Sequence, residues 1–334
     1  MSRCFISQLA HVEFTSPSPD DTVRFLTEIL GLEETERDGS SVYLRCWGEY
    51  FHHSVIVTEG PEPSLVHAGW RAGGPEDLEL AVAALTESGL GEGWHEGSIG
   101  HGPAFRYRTP GGHLHEIFWE VERWAAPPEL RSSYPNRPQR FTGRGAAVRQ
   151  IDHVTIATRD IMTDVEWLRN TLGYRFTEWT APDAAPDTAI FAMMTTNEKA
   201  HDLGVLGDDS GIPGRIHHLA FWLDGREDVL RAADILLEAG VTLEYGPGRH
   251  GMGEMVYMYF REPCGFRLEL NSGGTRNYQP DWEPVLHLPS QGSNDYYRNT
   301  PIPASFLQAF PSPDAAAVAG ATAESNPWRY TTVS

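Results

Sequence analysis

Apolar positions along the chain follow two periodicities that alternate with each other. A short apolar run at 12–14 is followed by Val23, Leu26, Ile29 and Leu30, spaced by three and four as on one face of a helix, and Gly31 stands where a helix C-cap is expected. Strand-forming stretches at 41–46 and 53–57 come next. The same order then recurs: a run at 154–157, a helical face of Val165, Leu168 and Leu172, a cap at Gly173, and a strand at 188–194. Within this second half the grammar repeats once more, with a strand at 218–223 and a helix at 227–239 that ends before Gly240. Each half therefore reads as two βα-plus-strands modules, and the class as α+β.

The recurrence extends to residue identity. The run His11-Val12-Glu13-Phe14, with Leu30-Gly31 and Glu36 downstream, answers at constant spacing to His153-Val154-Thr155-Ile156, Leu172-Gly173 and Glu178. Leu65-Val66-His67-Ala68 answers to Ile216-His217-His218-Leu219, and Pro110-Gly111-Gly112 with Glu116 answers to Pro263-Cys264-Gly265 with Glu269. Blocks in the same order with small insertions between them indicate two copies of one domain, and the period is far too long for a solenoid. The expected boundaries are a first copy over 1–124, a linker rich in Pro, Arg and Ser over 125–145, and a second copy over 146–285. A tail rich in Ala, Ser, Pro and Thr, read as mobile, spans 311–334.

Composition narrows the possible partners. The chain has 334 residues and a formal charge of −20, which argues against nucleic acid and against an anionic membrane surface. No apolar run approaches a membrane span, and the N-terminus reads as no signal peptide. Cys4, Cys46 and Cys264 are sparse and far apart, which argues against a disulfide framework or a zinc-thiolate site and points to a reducing cytoplasm.

The chemistry sits in the second copy. His153 lies on its first strand, His218 on the strand that opens its second module, and Glu269 on its last strand. Alternation puts Arg267, Glu269 and Asn271 on one face, opposite Phe266, Leu268 and Leu270. It puts His218 with Ile216 and Ala220, opposite His217 and Leu219. Two imidazoles and one carboxylate on one side of a metal leave positions open, as in non-haem iron(II) sites. With 14 histidines in the chain, spacing alone leaves hydrogen-bonded strand histidines as the alternative.

The stretch Gly248-Arg249-His250, continued by Met258-Tyr259-Phe260-Arg261-Glu262-Pro263-Cys264-Gly265-Phe266-Arg267-Leu268-Glu269, resembles the signature of the type I extradiol dioxygenases in the vicinal oxygen chelate superfamily. The phrases 42–45, 51–57, 214–218 and 246–251 are most similar to homoprotocatechuate and catechol 2,3-dioxygenases. The resemblance implies paired βαβββ modules forming barrel-like sheets, iron(II) or manganese(II), a catechol and dioxygen as substrates, and a homotetramer. It implies that His153, His218 and Glu269 are the metal ligands and that the first copy is non-catalytic. It further implies that His201 is the acid/base residue near the oxygen site, that His250 bonds the substrate, and that Tyr259 lies beside the deprotonated catechol oxygen. The product would be of the 2-hydroxymuconic semialdehyde type, and 286–310 would be a lid.

Some substrate contacts depart from the relatives. Tyr245 falls where one carboxylate-binding arginine of the homoprotocatechuate enzymes would be, and Ser293 and Asn294 fall where two more would be. Met193 replaces a pocket tryptophan and Thr155 a pocket asparagine. A neutral or apolar-substituted catechol is therefore expected, with Arg249 and Arg298 as the groups left to hold an anionic substituent. In the first copy His11, His67 and Glu116 occupy the ligand positions; they are read as a vestige of duplication, with a second metal site as the alternative that a metal titration would decide. Counterparts of His201 and Tyr259 are missing from this reading, and Arg106 falls where Tyr259 would be. The alternatives are a glyoxalase-type isomerase or epimerase, which lacks the 248–269 signature, and a ligand-sequestering protein, which loses the metal ligands.

Overall fold

Alternation of apolar side chains, not helix propensity, organises both halves: on the last long strand Leu268 and Leu270 enter the core while Glu269 and Asn271 face the other way. The computed structural model describes residues 3–297 and 302–313. The first half runs β1 (Ile6–Ser16), α1 (Pro19–Arg24), β2 (Glu33–Asp38), β3 (Ser41–Arg45), β4 (Val55–Glu59), β5 (Ser64–Ala72), α2 (Pro75–Glu87), β6 (Gly91–His95), β7 (Ala104–Arg108) and β8 (Leu114–Phe118). The second half runs β9 (Gln150–Thr158), α3 (Ile161–Leu172), β10 (Arg175–Thr180), β11 (Phe191–Thr195), β12 (Leu203–Gly207), β13 (Arg215–Trp222), α4 (Arg226–Glu238), β14 (Leu243–Arg249), β15 (Met255–Arg261), β16 (Arg267–Gly273) and β17 (Val285–His287).

The two sheets have one topology. The first has the order β2-β3-β4-β1-β5-β8-β7-β6, and the second β14-β15-β16-β13-β9-β12-β11-β10-β17, so a βαβββ module forms each wing of each sheet. Modules meet where β1 pairs antiparallel with β5 and β9 with β13. Gly31 and Gly173 take the left-handed conformation at φ 85° and 77°, ending the first helix of each copy where a Cβ would be strained. In the first copy this helix widens into a π-helical turn over Phe25–Leu30, which buries Phe25, Leu26 and Leu30 together. The strand expected at 188–194 begins only at Phe191, because a 3-10 turn over Pro186–Thr188 precedes it.

The copies exchange their corners. Phe266, in the turn before β16, stacks on Phe14 of β1 at 4.4 Å, and Thr22 of α1 donates to Glu262 Oε2 at 2.7 Å. Reciprocally, the turn before β8 reaches the second copy: Gly111 N donates to Asp164 Oδ1 at 3.1 Å, and His113 Nε2 lies 2.8 Å from Arg215 O. One continuous core therefore includes residues of both halves. The 125–145 segment is coil apart from a 3-10 turn at Pro128–Leu130, and the buried Arg45 guanidinium holds it through Gln139. Beyond residue 287 a 3-10 turn over Ala304–Leu307 folds back over β13 and β16. Of the tail, 314–334 lies outside the described residues, as does Arg298.

Candidate metal centre

Three strands set the spacing of the centre. Glu269 on β16 pairs with Ala220 on β13, and Ala220 pairs with His153 on β9, so the carboxylate and the imidazole flank one small residue on a single level of the sheet. His218 lies two residues before Ala220 on the same side. His153 Nε2 and His218 Nε2 are 3.0 Å apart, and Glu269 Oε2 lies 3.2 Å and 3.1 Å from them. Metal–ligand bonds of about 2.1 Å at right angles separate neighbouring donors by about 3.0 Å, whereas tetrahedral angles would separate them by about 3.4 Å. The triangle therefore matches one face of an octahedron.

The tautomers agree with that reading. His153 Nδ1 is 2.8 Å from Asp152 Oδ2, so it carries the proton and leaves Nε2 bare. His217 Nε2–H donates to the Phe306 carbonyl at 2.5 Å, so His217 Nδ1 is an acceptor and takes the His218 Nδ1 proton at 2.6 Å. His218 Nε2 is thereby also bare. Glu269 is fully buried, and among the described residues neither carboxylate oxygen has a hydrogen-bond partner. Two lone pairs and a carboxylate converging in a buried site suit a cation. Without one, protons do the balancing. Burial works to lower His153, but the Glu269 and Asp152 carboxylates outweigh it and hold the residue near 9. Burial dominates at His218 and takes it down to about 4. Burial would raise Glu269, but the two imidazoles keep it well below the carboxylate range.

One expectation from strand alternation fails here. His217 does not point away from His218; the rings lie 4.9 Å apart on one side, while Ile216 enters the core opposite them. The cause is a β-bulge between Ile216 and His218, which puts two residues of β13 against one of β9.

A cavity of about 210 Å³ opens on the free side of the triad. His201, Tyr259, His250, Thr155, Met193 and Asn294 all lie in its wall. The His201 ring is 4.0 Å from that of His153, its Nδ1 is buried without a partner, and burial followed by the His153 charge holds it well below its usual value. Tyr259 pairs directly with Glu269 across β15 and β16; burial, then that carboxylate, raises its phenol far above the ordinary range. His250 donates from Nδ1 to Asn294 O at 2.5 Å, leaving Nε2 to accept from the Tyr259 hydroxyl at 3.1 Å, and its ring stacks on Tyr257 at 3.7 Å. Asn294 thus contributes its backbone carbonyl. Two residues expected to touch substrate stand elsewhere. Tyr245 sits behind the wall, in an aromatic group with Tyr257 and Phe306. Arg249 turns away to Glu254 at 2.5 Å and lies over the Tyr296 ring, because its position on β14 directs it outward.

Sequence reading missed the groups that hold the ligands. Asp152 Oδ2 also accepts from Asn271 Nδ2 at 3.0 Å, and its Oδ1 pairs with Lys199 Nζ at 3.0 Å. Lys199 bridges on to Asp202 at 3.1 Å, which ties the loop carrying His201 to the strand carrying His153. The available signals were an Asp immediately before one ligand and a His immediately before another.

The first copy repeats the arrangement. His11 Nε2 and His67 Nε2 are 2.9 Å apart, with Glu116 Oε1 at 3.3 Å and 3.4 Å. A counterpart of His201 does exist there. Val12 pairs with Val55 as Val154 pairs with Leu203, so His53 holds the place of His201. A two-residue difference in loop length hides this in the sequence. Arg106 faces Glu116 as Tyr259 faces Glu269.

Comparison with known proteins places this arrangement in context. Residues 150–270 match the model of the Glyoxalase/Bleomycin resistance protein/Dioxygenase superfamily. The chain is 35% identical to a metapyrocatechase of Geobacillus stearothermophilus over 90% of this chain and 92% of that one. It is 37% identical to a manganese-dependent 2,3-dihydroxybiphenyl 1,2-dioxygenase of Geobacillus genomosp. 3, over 84% and 89%. Its fold matches the crystal structure of the 2,3-dioxygenase LapB from Pseudomonas sp. KL28 with a TM-score of 0.78 at 27% identity, covering 87% of this chain and all of that one.

Proposed function

Because this chain belongs to the extradiol ring-cleavage dioxygenases of the vicinal oxygen chelate superfamily, we propose that it opens its catechol at one divalent metal held by His153, His218 and Glu269, and that the preferred catechol carries an apolar substituent. The observation that carries the proposal is the donor triangle with one side open to a cavity. The donor set suits iron(II) and manganese(II) alike. When bound, the metal supplies Lewis acidity, a template for catechol and dioxygen, and a path for electrons between them.

The protein's own groups handle protons and orientation. His250 presents a bare Nε2 and can take a catechol proton, while the Tyr259 hydroxyl, kept protonated by burial, can turn from His250 to donate to the catecholate oxygen. His201, neutral in the buried site, stands beside His153 to hold and return a proton during oxygen chemistry. The far wall excludes water with Ile190, Phe191, Met193, Leu206 and Met252. Among the described residues no arginine or lysine lines it, so a substituent carboxylate would be desolvated without a partner.

Oxygen uptake tests this directly. With catechol, 2,3-dihydroxybiphenyl and homoprotocatechuate, we expect a yellow ring-opened product and kcat/KM highest for the apolar-substituted ring and lowest for the acid. Preference for homoprotocatechuate would overturn the substrate assignment, and no oxygen uptake with any of the three would overturn the reaction. For assembly, the resemblance implies a homotetramer, which sedimentation of the purified chain reports. The described residues include no helix long and apolar enough to cross a membrane, and the three cysteines are free, which suits a reducing cytoplasm.

A further inference from the structure

We propose that His11, His67 and Glu116 hold a second divalent transition-metal ion, in a closed, non-catalytic site that ties β1, β5 and β8 of the first copy together. The frame is that of the catalytic triad: His11 pairs with Gly69 and Gly69 with Glu116, as His153 pairs with Ala220 and Ala220 with Glu269. Gly69 is required here for a local reason, since a Cβ would lie 2.2 Å from the His11 ring. His67 Nδ1 stands 3.0 Å from Glu13 Oε2, an ion-pair distance, and its Nε2 faces His11 Nε2. His101 Nδ1 lies 2.8 Å from the Gly102 carbonyl, and its Nε2, 3.1 Å from Glu116 Oε1, takes the Ser98 hydroxyl at 2.7 Å. His53 Nε2 is buried and has no hydrogen-bond partner among the described residues, its ring 5.1 Å from that of His11. Two imidazole nitrogens and a carboxylate oxygen thus converge within reach of one ion, and a cation would take the place of the protons they must otherwise share. The ligands are as deeply buried as those of the catalytic triad, at 2%, 5% and 1% exposure.

What differs is the side where the second copy has its substrate cavity. In the first copy Glu116 Oε2 takes His95 at 2.8 Å and Arg106 at 3.3 Å. The His101 ring, stacked on Phe118 at 4.3 Å, fills the space beside them. An ion here has protein groups where dioxygen and catechol would need to be, so its role is structural.

Metal stoichiometry decides the matter. The full chain, stripped with a chelator and titrated with Co(II), should bind two ions by elemental analysis. Glu116→Gln should bind one fewer than its parent, both in the wild type and in a Glu269→Gln background, while oxygen uptake by the single Glu116→Gln variant, measured with Fe(II), shows that it is folded. His67→Asn gives the same comparison should the glutamine variant not fold. Equal stoichiometry of parent and first-copy variants would overturn the proposal, whatever the catalytic assay gives.

Discussion

At the scale of single residues, the ligands were legible and their supports were not. His153, His218 and Glu269 stand out because each falls in a repeated block and on a strand. Asp152 and His217 carry no such mark; their roles depend on side-chain contacts that spacing does not reveal. His217 in particular was assigned to the wrong face, since a bulge resets the alternation that sequence reading assumes. Asp152 fixes the tautomer of His153 and is itself fixed by Asn271 and Lys199. Replacing Asp152 with Ala removes the acceptor of Nδ1, and we expect metal affinity to fall about 10–100-fold. Competition against a chelator measures this; unchanged affinity would mean that the tautomer is set elsewhere.

At the scale of elements, the decisive piece is the return of the chain over β13 and β16. The fully buried Arg267 pairs with Glu244 Oε2 at 2.6 Å and donates to the carbonyls of Ser305 at 2.7 Å and Gln308 at 2.6 Å. It thus pins the turn whose Phe306 carbonyl orients His217 and whose ring packs against Tyr259. Sequence alternation placed Arg267 on the face of Glu269, but no local pattern says that a segment 40 residues downstream closes over it. Burial would raise Glu244, yet Arg267 and then Arg261 bring it down to about 2 from its usual 4.5. A carboxylate depressed on folding stabilises the protein above its unfolded value, and that stability is lost as pH falls from 4.5 toward 2. Glu244→Gln should cost about 2 kcal/mol at neutral pH. Its stability should fall less steeply than the wild type's over the acid window, so that the two converge near pH 2, as thermal melts at stepped pH would record. Parallel curves would contradict the pairing.

At the scale of the molecule, duplication was the clearest message of the sequence, because whole blocks recur in order; how the copies join was not visible. Their junction is made by corners that exchange, Phe266 on Phe14 and Gly111 on Asp164, and these residues read locally as ordinary turns and apolar positions. A core shared in this way should unfold as one unit. Calorimetry of the metal-loaded chain is expected to show a single transition, and two separated transitions would mean that the copies are independent. The reaction itself depends on one ion meeting His153, His218 and Glu269 while the cavity side stays open to small molecules. Anomalous scattering from crystals loaded with iron(II) or manganese(II) tests that most directly. The expected peak lies about 2.1 Å from His153 Nε2, His218 Nε2 and Glu269 Oε2 with no protein ligand on the cavity side; no peak there, or a fourth protein group closing the ion off, would contradict the account.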